Sequence, residues 1–447
     1  MAERWNNRAL FSLLWPLLIE QMLSVAMGTA DTIMVSSVGE HAVSAVNIID
    51  NISNLLIIAF AALCTGGAVV VSQYIGRRDY SSSRTAAKQL IYCVTLISLF
   101  MMAIALLLRR PIIRVIYGVI ENDVMNAAAV YFFITALSYP FLAVYNANAA
   151  LLRAVGNSGV TMRITLLVNV LNLAGNAFLI YVLKMGVMGA ALSTLMSRTA
   201  AAVITTVMLN RSAASPISLA GLFNVRIVRP MIRNILNVGI PGGMESSMFM
   251  IGRLLTQRIF PVFGTAAIAA NAVTSVINSI SFMTGSAYGI ALLTVVGQCI
   301  GAGEYAAAKN QTFKIMKFAY ITMFIIIGFT FFFVKPLVGL FNLSGEAQTM
   351  AVTFLRIHCI SMMLGWPVSF ALPNALRAAG DARFVMIAAA ISMWTVRVSA
   401  AYLLTFALGI GPLGVWIAMG ADFFVRGAFY CTRWTRGKWQ DKRVITD

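Results

Sequence analysis

Two carboxylates stand where water is scarce. Glu20 and Asp31 lie in an apolar run from Leu10 to Val38, long enough to cross a bilayer, since about 20 apolar residues at 1.5 Å rise span the hydrocarbon core. Eleven residues at 3.6 per turn return to nearly the same helix face, roughly 16 Å further along the axis. A carboxylate at membrane depth is costly unless it lines a cavity, finds a partner or takes up a proton. It holds either a proton or a cation, which is the chemistry of an exchange switch.

The elements that must position these acids are membrane helices. The 447 residues are 60% hydrophobic and 11% charged, with a mean hydropathy of +0.85; a water-soluble fold carries about 25% charged residues. Twelve apolar segments can be drawn: 10 to 38, 44 to 75, 89 to 108, 126 to 151, 162 to 183, 187 to 208, 234 to 262, 267 to 299, 316 to 340, 350 to 376, 384 to 407 and 413 to 432.

The net charge of +18 is accounted for by placement. Lysine and arginine concentrate at the amino end, in the strips near 77 to 88, 153 to 163, 211 to 233, 309 to 317 and 377 to 383, and in the tail from Arg426. The alternate loops hold Arg109, Arg110, Arg114 and Lys184, with Lys335. This asymmetry places both termini in the cytoplasm of a multi-pass plasma-membrane protein. Basic loops then face anionic lipid headgroups, and no nucleic-acid partner is expected. Five scattered cysteines, an odd count without metal-like spacing, imply neither a disulfide framework nor a zinc site.

Sliding the second half back by 225 aligns Pro16 with Pro241, Glu20 with Glu245, Gly39 with Gly264, Gln73 with Gln298, Asp79 with Glu304 and Pro111 with Pro336. At 224 the stretch from Leu151 to Gly159 aligns with Ala375 to Arg383. An ordered series at nearly constant spacing is an internal repeat. A repeating unit of six helices enters the membrane in the same orientation twice, and transport sites of such parallel repeats lie near mid-membrane between the halves. The expected organisation is an amino-terminal lobe over 1 to 209, a cytoplasmic linker over 210 to 233, and a carboxy-terminal lobe with a basic tail over 234 to 447, around a central cleft. Glu20 and Glu245, as symmetry mates, would face that cleft and attract a cationic substrate or cap helix polar groups.

The first-segment pattern from Pro16 to Asp31 with its "ADTIMV" ending, the "GRRDY" and "GAGEY" loops, the "LRAVGN" and "LRAAGD" loops and the six-plus-six repeat together resemble the multidrug and toxic compound extrusion (MATE) family. The resemblance covers essentially the whole chain. It implies V-shaped six-helix lobes that export bulky, lipophilic, often cationic compounds in exchange for Na⁺ or H⁺, with no other cofactor. Asp31 matches the family's first-helix cation or proton site, with Asn172, Asn176 and Thr194 as polar partners of a pocket suited to Na⁺ or to a hydrogen-bonded proton. One branch has an aspartate where this chain has Asn176. Glu245 matches a glutamate of the Na⁺-coupled branch, while the stretch Leu364 to Arg377 lacks that branch's aspartate.

Around the acids, Arg253 and Arg258 stand as ion-pair or substrate contacts, Asp50 as a structural hydrogen-bonding residue, and Arg397 as the neutraliser of a buried acid. His358 reads as a packing residue that could titrate. Soft methionines and aromatic faces suit flat cations, which points to Met244, Met248, Met283, Tyr145, Trp366 and Trp394. Pro16, Pro140, Pro241 and Pro367 are expected to interrupt helices. A monomer in lipid with small lipophilic cations as its cargo is the expected working state. A lipid-linked oligosaccharide flippase of the same superfamily is the rival reading, kept open by Arg253, Arg258 and Arg397. An intramembrane enzyme would need a nucleophile, a histidine-rich metal motif or a dyad at helix spacing, and two histidines with dispersed cysteines supply none.

Overall fold

The computed structural model describes residues 4–118, 121–211, 215–224, 227–442 and 444–445, so parts of the expected linker (212–214 and 225–226) lie outside the described residues. In hydrocarbon every backbone polar group must be satisfied within the segment, and the apolar runs accordingly form helices. In order these are α1 (Asn7–Ser36), α2 (Glu40–Arg77), α3 (Tyr80–Tyr117), α4 (Asn122–Leu137), α5 (Tyr139–Val155), α6 (Ser158–Asn176), α7 (Gly186–Arg211) and α8 (Arg229–Gln257). There follow α9 (Gly264–Gly301), α10 (Tyr305–Phe332), α11 (Val334–Gly339), α12 (Gly345–Trp366), α13 (Leu372–Ala378), α14 (Ala382–Ile391), α15 (Ser399–Tyr402) and α16 (Leu413–Thr435). Wider π-helical turns extend α6 over Ala177–Val182, join α12 to α13 over Pro367–Ala371, and flank α15 over Ser392–Val398 and Leu403–Ala407.

Among the described residues, nine helices are long and apolar enough to cross a membrane, or up to ten if α4 and α5, bent by 46°, are one span. The protein is an all-helical, multi-span membrane protein.

The helices differ from the hydropathy segments where polar residues cap or extend them. The segment drawn over 89 to 108 begins at Tyr80. Asp79 accepts a hydrogen bond from the Ser82 amide at 3.0 Å, satisfying one of the amides a helix start leaves free, so a polar turn invisible to hydropathy is helical. Its carboxyl is held below the usual aspartate range, first by that backbone amide and then by the Ser82 hydroxyl. The single segment drawn over 126 to 151 is two helices, because α4 ends at Leu137 and Pro140 sits in the first turn of α5, where a missing amide costs nothing. Pro367 likewise opens a π turn. Pro16 and Pro241 instead lie inside α1 and α8.

Two compact units form, one from Trp15–Gly243 and one from Met1–Leu14 with Met244–Asp447. Their boundaries fall inside α1 and α8, next to the two internal prolines.

Within each unit the same backbone devices recur at the repeat spacing. Left-handed residues close the helices at Arg78 and Gly303, at Gly156 and Gly380, and begin the next at Gly186 and Gly411. The π turns over Ala177–Val182 and Leu403–Ala407 also correspond. In the first unit α2 meets α8 backbone to backbone: a Cβ on Gly66 would overlap the Ile235 carbonyl oxygen and lie 2.8 Å from the Gly239 nitrogen. Lipid offers no hydrophobic drive between helices, so such close approach is what helix packing in a bilayer relies on.

Candidate functional site

In the first unit, α1 carries Asp31, α6 carries Asn172 and Asn176, and α7 carries Ser193, Thr194 and Ser197. Asn172 and Asn176 are four residues apart and share one face of α6. Asn176 Nδ2 donates to Asp31 Oδ1 at 2.6 Å and to Asn172 Oδ1 at 3.2 Å. Asn172 Nδ2 in turn faces Ser197 Oγ at 3.2 Å and Thr194 Oγ1 at 3.5 Å, while Ser193 Oγ donates to the Asn172 carbonyl at 2.8 Å. Gly175 allows this approach, because a Cβ there would meet Ser193. The four residues expected around a coupling ion are thus brought together, and Ser197 joins them.

Asn176 Oδ1 is buried without a hydrogen-bond partner among the described residues. A buried amide oxygen left unsatisfied is costly. The Asp31 carboxylate, the Asn176 amide and the Thr194 hydroxyl are the hard oxygen donors of this cluster, the kind of group that a small hard cation takes as ligand. Asp31 also feels the charges of Asp50 and Arg198. Asp50 accepts a hydrogen bond from the Tyr131 hydroxyl at 3.3 Å, and Arg198 donates to Ser138 Oγ at 2.8 Å. No cluster of three or more His, Cys, Asp or Glu side chains that could hold a metal ion occurs among the described residues.

Glu20 is 6% exposed. Its Oε1 lies 3.2 Å from Arg153 Nη1, and its Oε2 accepts from Thr161 Oγ1 at 2.9 Å. Glu20 and Arg153 line a cavity of about 230 Å³ with Tyr145, Asn146, Thr165 and Asn169. Tyr145 bonds Thr165 across 2.9 Å, and Asn169 Nδ2 donates to the Leu23 carbonyl at 3.2 Å.

In the second unit Glu245 repeats this arrangement. Its Oε2 lies 2.5 Å from Arg377 Nη2, and Arg377 Nη1 donates to Asn374 Oδ1 at 2.8 Å. The ion-pair partner is therefore Arg377, and Arg253 and Arg258 are both exposed. Arg153 and Arg377 come from the two "LRA" motifs, 224 residues apart where the glutamates are 225 apart. Sequence reasoning passed over this pairing although both halves of the signal repeat together.

Arg397 lies 3.8 Å from Asp422, as expected of a neutraliser, but Arg426 is nearer to that acid at 2.7 Å. His358 packs edge-on to Trp416 with centroids 4.9 Å apart. Of the methionines and aromatics singled out, Tyr145 lines the Glu20 cavity; Met283 and Trp366 line a cavity of the second unit. Met244 is 46% exposed, Met248 is half-buried and Trp394 is 39% exposed.

A helical membrane fold with paired polar centres at the repeat spacing is that of a secondary transporter. The chain belongs to the MatE family, whose model matches residues 16–178 and 243–403. It is 30% identical to the uncharacterized transporter YisQ of Bacillus subtilis over 438 residues, 97% of this chain and 95% of that one. It is 26% identical to the probable multidrug resistance protein NorM of Thermotoga maritima, covering 98% and 94% of the two chains. A solved MATE crystal structure in the bent conformation superposes with a TM-score of 0.89 at 19% identity, over 96% of each chain. The protein is a MATE-type secondary transporter and not an enzyme.

Proposed function

We propose that this transporter exports lipophilic, mostly cationic small molecules in exchange for Na⁺ or H⁺, with Asp31 as the negative charge for which the coupling ion or proton competes with the cationic substrate. One observation carries the reading: the Asp31 carboxylate is held by Asn176 beside an unpartnered amide oxygen, with Asn172 and Thr194 adjacent. Na⁺ would take the Asp31, Asn176 and Thr194 oxygens; a proton would sit on Asp31. Moving one charge down a 100 mV potential releases about 2.3 kcal/mol, roughly a fiftyfold concentration ratio. The names of the multidrug-resistance relatives support export of foreign compounds. The arrangement belonging to this reading is twelve spans as two six-helix repeats, with both termini in the cytoplasm, in a protein that works as a monomer in lipid.

In this reading Glu20 and Glu245 serve the substrate through their arginine pairs. A cation entering the Glu20 cavity would draw the carboxylate from Arg153, and Tyr145 would offer its ring face. Met244, Met248 and Met283 would supply adaptable apolar contacts to the same cargo. The test is ethidium efflux from proteoliposomes under separately imposed Na⁺ and H⁺ gradients, in wild type and Asp31→Asn. Export driven by one gradient and abolished in the variant supports the reading; unchanged efflux in Asp31→Asn removes Asp31 from the mechanism. A second reading, a flippase for lipid-linked oligosaccharides, is favoured by Arg253 and Arg397 lining one cavity. It would be preferred if neither gradient moved the dye.

A further inference from the structure

The second unit holds a half-open cavity of about 200 Å³ whose chemistry is opposite to that of the Asp31 centre. One wall is aromatic. Trp366 stacks on Phe370 at 5.3 Å, and Phe282 meets both rings edge-on at 5.5 and 5.6 Å. The remainder of the lining includes Arg397, His358 and Trp416, which are 5%, 1% and 5% exposed.

These buried side chains carry unused hydrogen-bonding groups. Arg397 Nε and Nη1, Trp416 Nε1, Trp366 Nε1 and both ring nitrogens of His358 have no hydrogen-bond partner among the described residues. Arg397 Nη2 donates to the Met419 sulfur at 3.0 Å, a weak acceptor, and the guanidinium lies 5.1 Å over the Phe249 ring, a contact that leaves its remaining donors unused. Asp422 is engaged elsewhere, by Arg426 at 2.7 Å and Ser392 at 2.5 Å, and stands 3.8 Å from Arg397.

The charges leave a surplus. Arg377, Arg397 and Arg426 are set against Glu245 and Asp422, one cation more than the acids can match. Arg253, on the cavity lining, adds to it. An unmatched charge and idle donors at membrane depth are costly in free energy. A guest with one negative charge and a flat apolar body would relieve both.

We propose that this cavity binds a small aromatic carboxylate, its carboxylate on Arg397 and Trp416 and its ring against Phe282, Trp366 and Phe370. The planar guanidinium matches two carboxylate oxygens. The volume is below the roughly 300–1,000 Å³ of drug-sized pockets, which restricts the guest to one or two rings. This goes beyond the export of cations at Asp31: the two sites lie in different units, and binding here does not require an ion gradient.

The test is calorimetric titration of the purified full chain in detergent micelles with 1-naphthoate and its neutral isostere 1-naphthamide, against empty-micelle blanks. The naphthoate is expected to bind about tenfold or more tightly than the amide, as charge-assisted bidentate bonding implies. Arg397→Met should abolish that preference. Trp416→Phe keeps a ring in place and removes only the Nε1 donor, and it should weaken naphthoate binding about threefold or more while leaving the amide unchanged. Equal affinity for the two compounds in wild type, no binding of naphthoate, or an unaltered preference in Trp416→Phe overturns the proposal, whether or not Arg397→Met folds. Asp31→Asn should bind naphthoate as wild type does, which separates this site from the export reading.

Discussion

Arg153 Nη1 lies 3.2 Å from Glu20 Oε1, and 224 and 225 residues further on the same two residue types meet again as Arg377 and Glu245. Each pair ties the loop motif that closes one helix to an acid in the middle of another. Breaking such a pair leaves a charge stranded, which costs more than the pair itself contributes. Arg153→Met is therefore expected to destabilise the protein by about 3–5 kcal/mol. Arg153→Met with Glu20→Met should recover much of the loss. Thermal unfolding in detergent reads both; a double variant no more stable than the single would show that the pair is not a unit.

Asn176 donates to Asp31 at 2.6 Å, a bond to a charged acceptor that is worth about 1.5–3 kcal/mol. Asn176→Leu should accordingly lower the melting temperature and, per folded molecule reconstituted, reduce ion-driven dye efflux at least about tenfold. Efflux at the wild-type rate would take Asn176 out of the coupling site.

Gly66 lies where the backbones of α2 and α8 touch. Gly66→Val must push them apart, an overpacking cost of about 1–3 kcal/mol, and should lower the melting temperature. Gly28, whose added Cβ meets nothing within 4 Å, provides the control: Gly28→Ala should leave the melting temperature as it is or raise it slightly.

The Asp79 cap is legible through pH. Because its folded pKa lies below the ordinary 3.8, its contribution is present above that value and disappears as pH falls through the lower, folded one. Asp79→Ala should cost about 1 kcal/mol near neutrality. The gap between variant and wild-type stability should shrink as pH falls below 3.8; a gap that stays constant down to acid unfolding would show that the carboxylate is not the cap.

What could be read from the chain before its structure was whatever bilayer physics imposes. Apolar length marked the helices, and the constant offset marked the repeat. Asp31 was legible because a carboxylate in an apolar run is costly without a role, whereas Asn172, Asn176 and Thr194 were reached only through the resemblance to the MATE family. The partners of Glu20 and Glu245 were missed because an ion pair between distant segments leaves no periodic trace; only the joint recurrence of Glu and "LRA" carried it. The positively charged cavity was also beyond reach, since Arg397, His358, Trp366 and Trp416 share no spacing. The early start of α3 was hidden by a cap acting on polar residues, to which hydropathy is blind.

A methyl group on Gly285 would overlap the Trp366 ring, so the indole and any side chain at position 285 compete for one volume. A relative with even an alanine at the matching position would have to set its indole elsewhere, and its cavity would lose this wall.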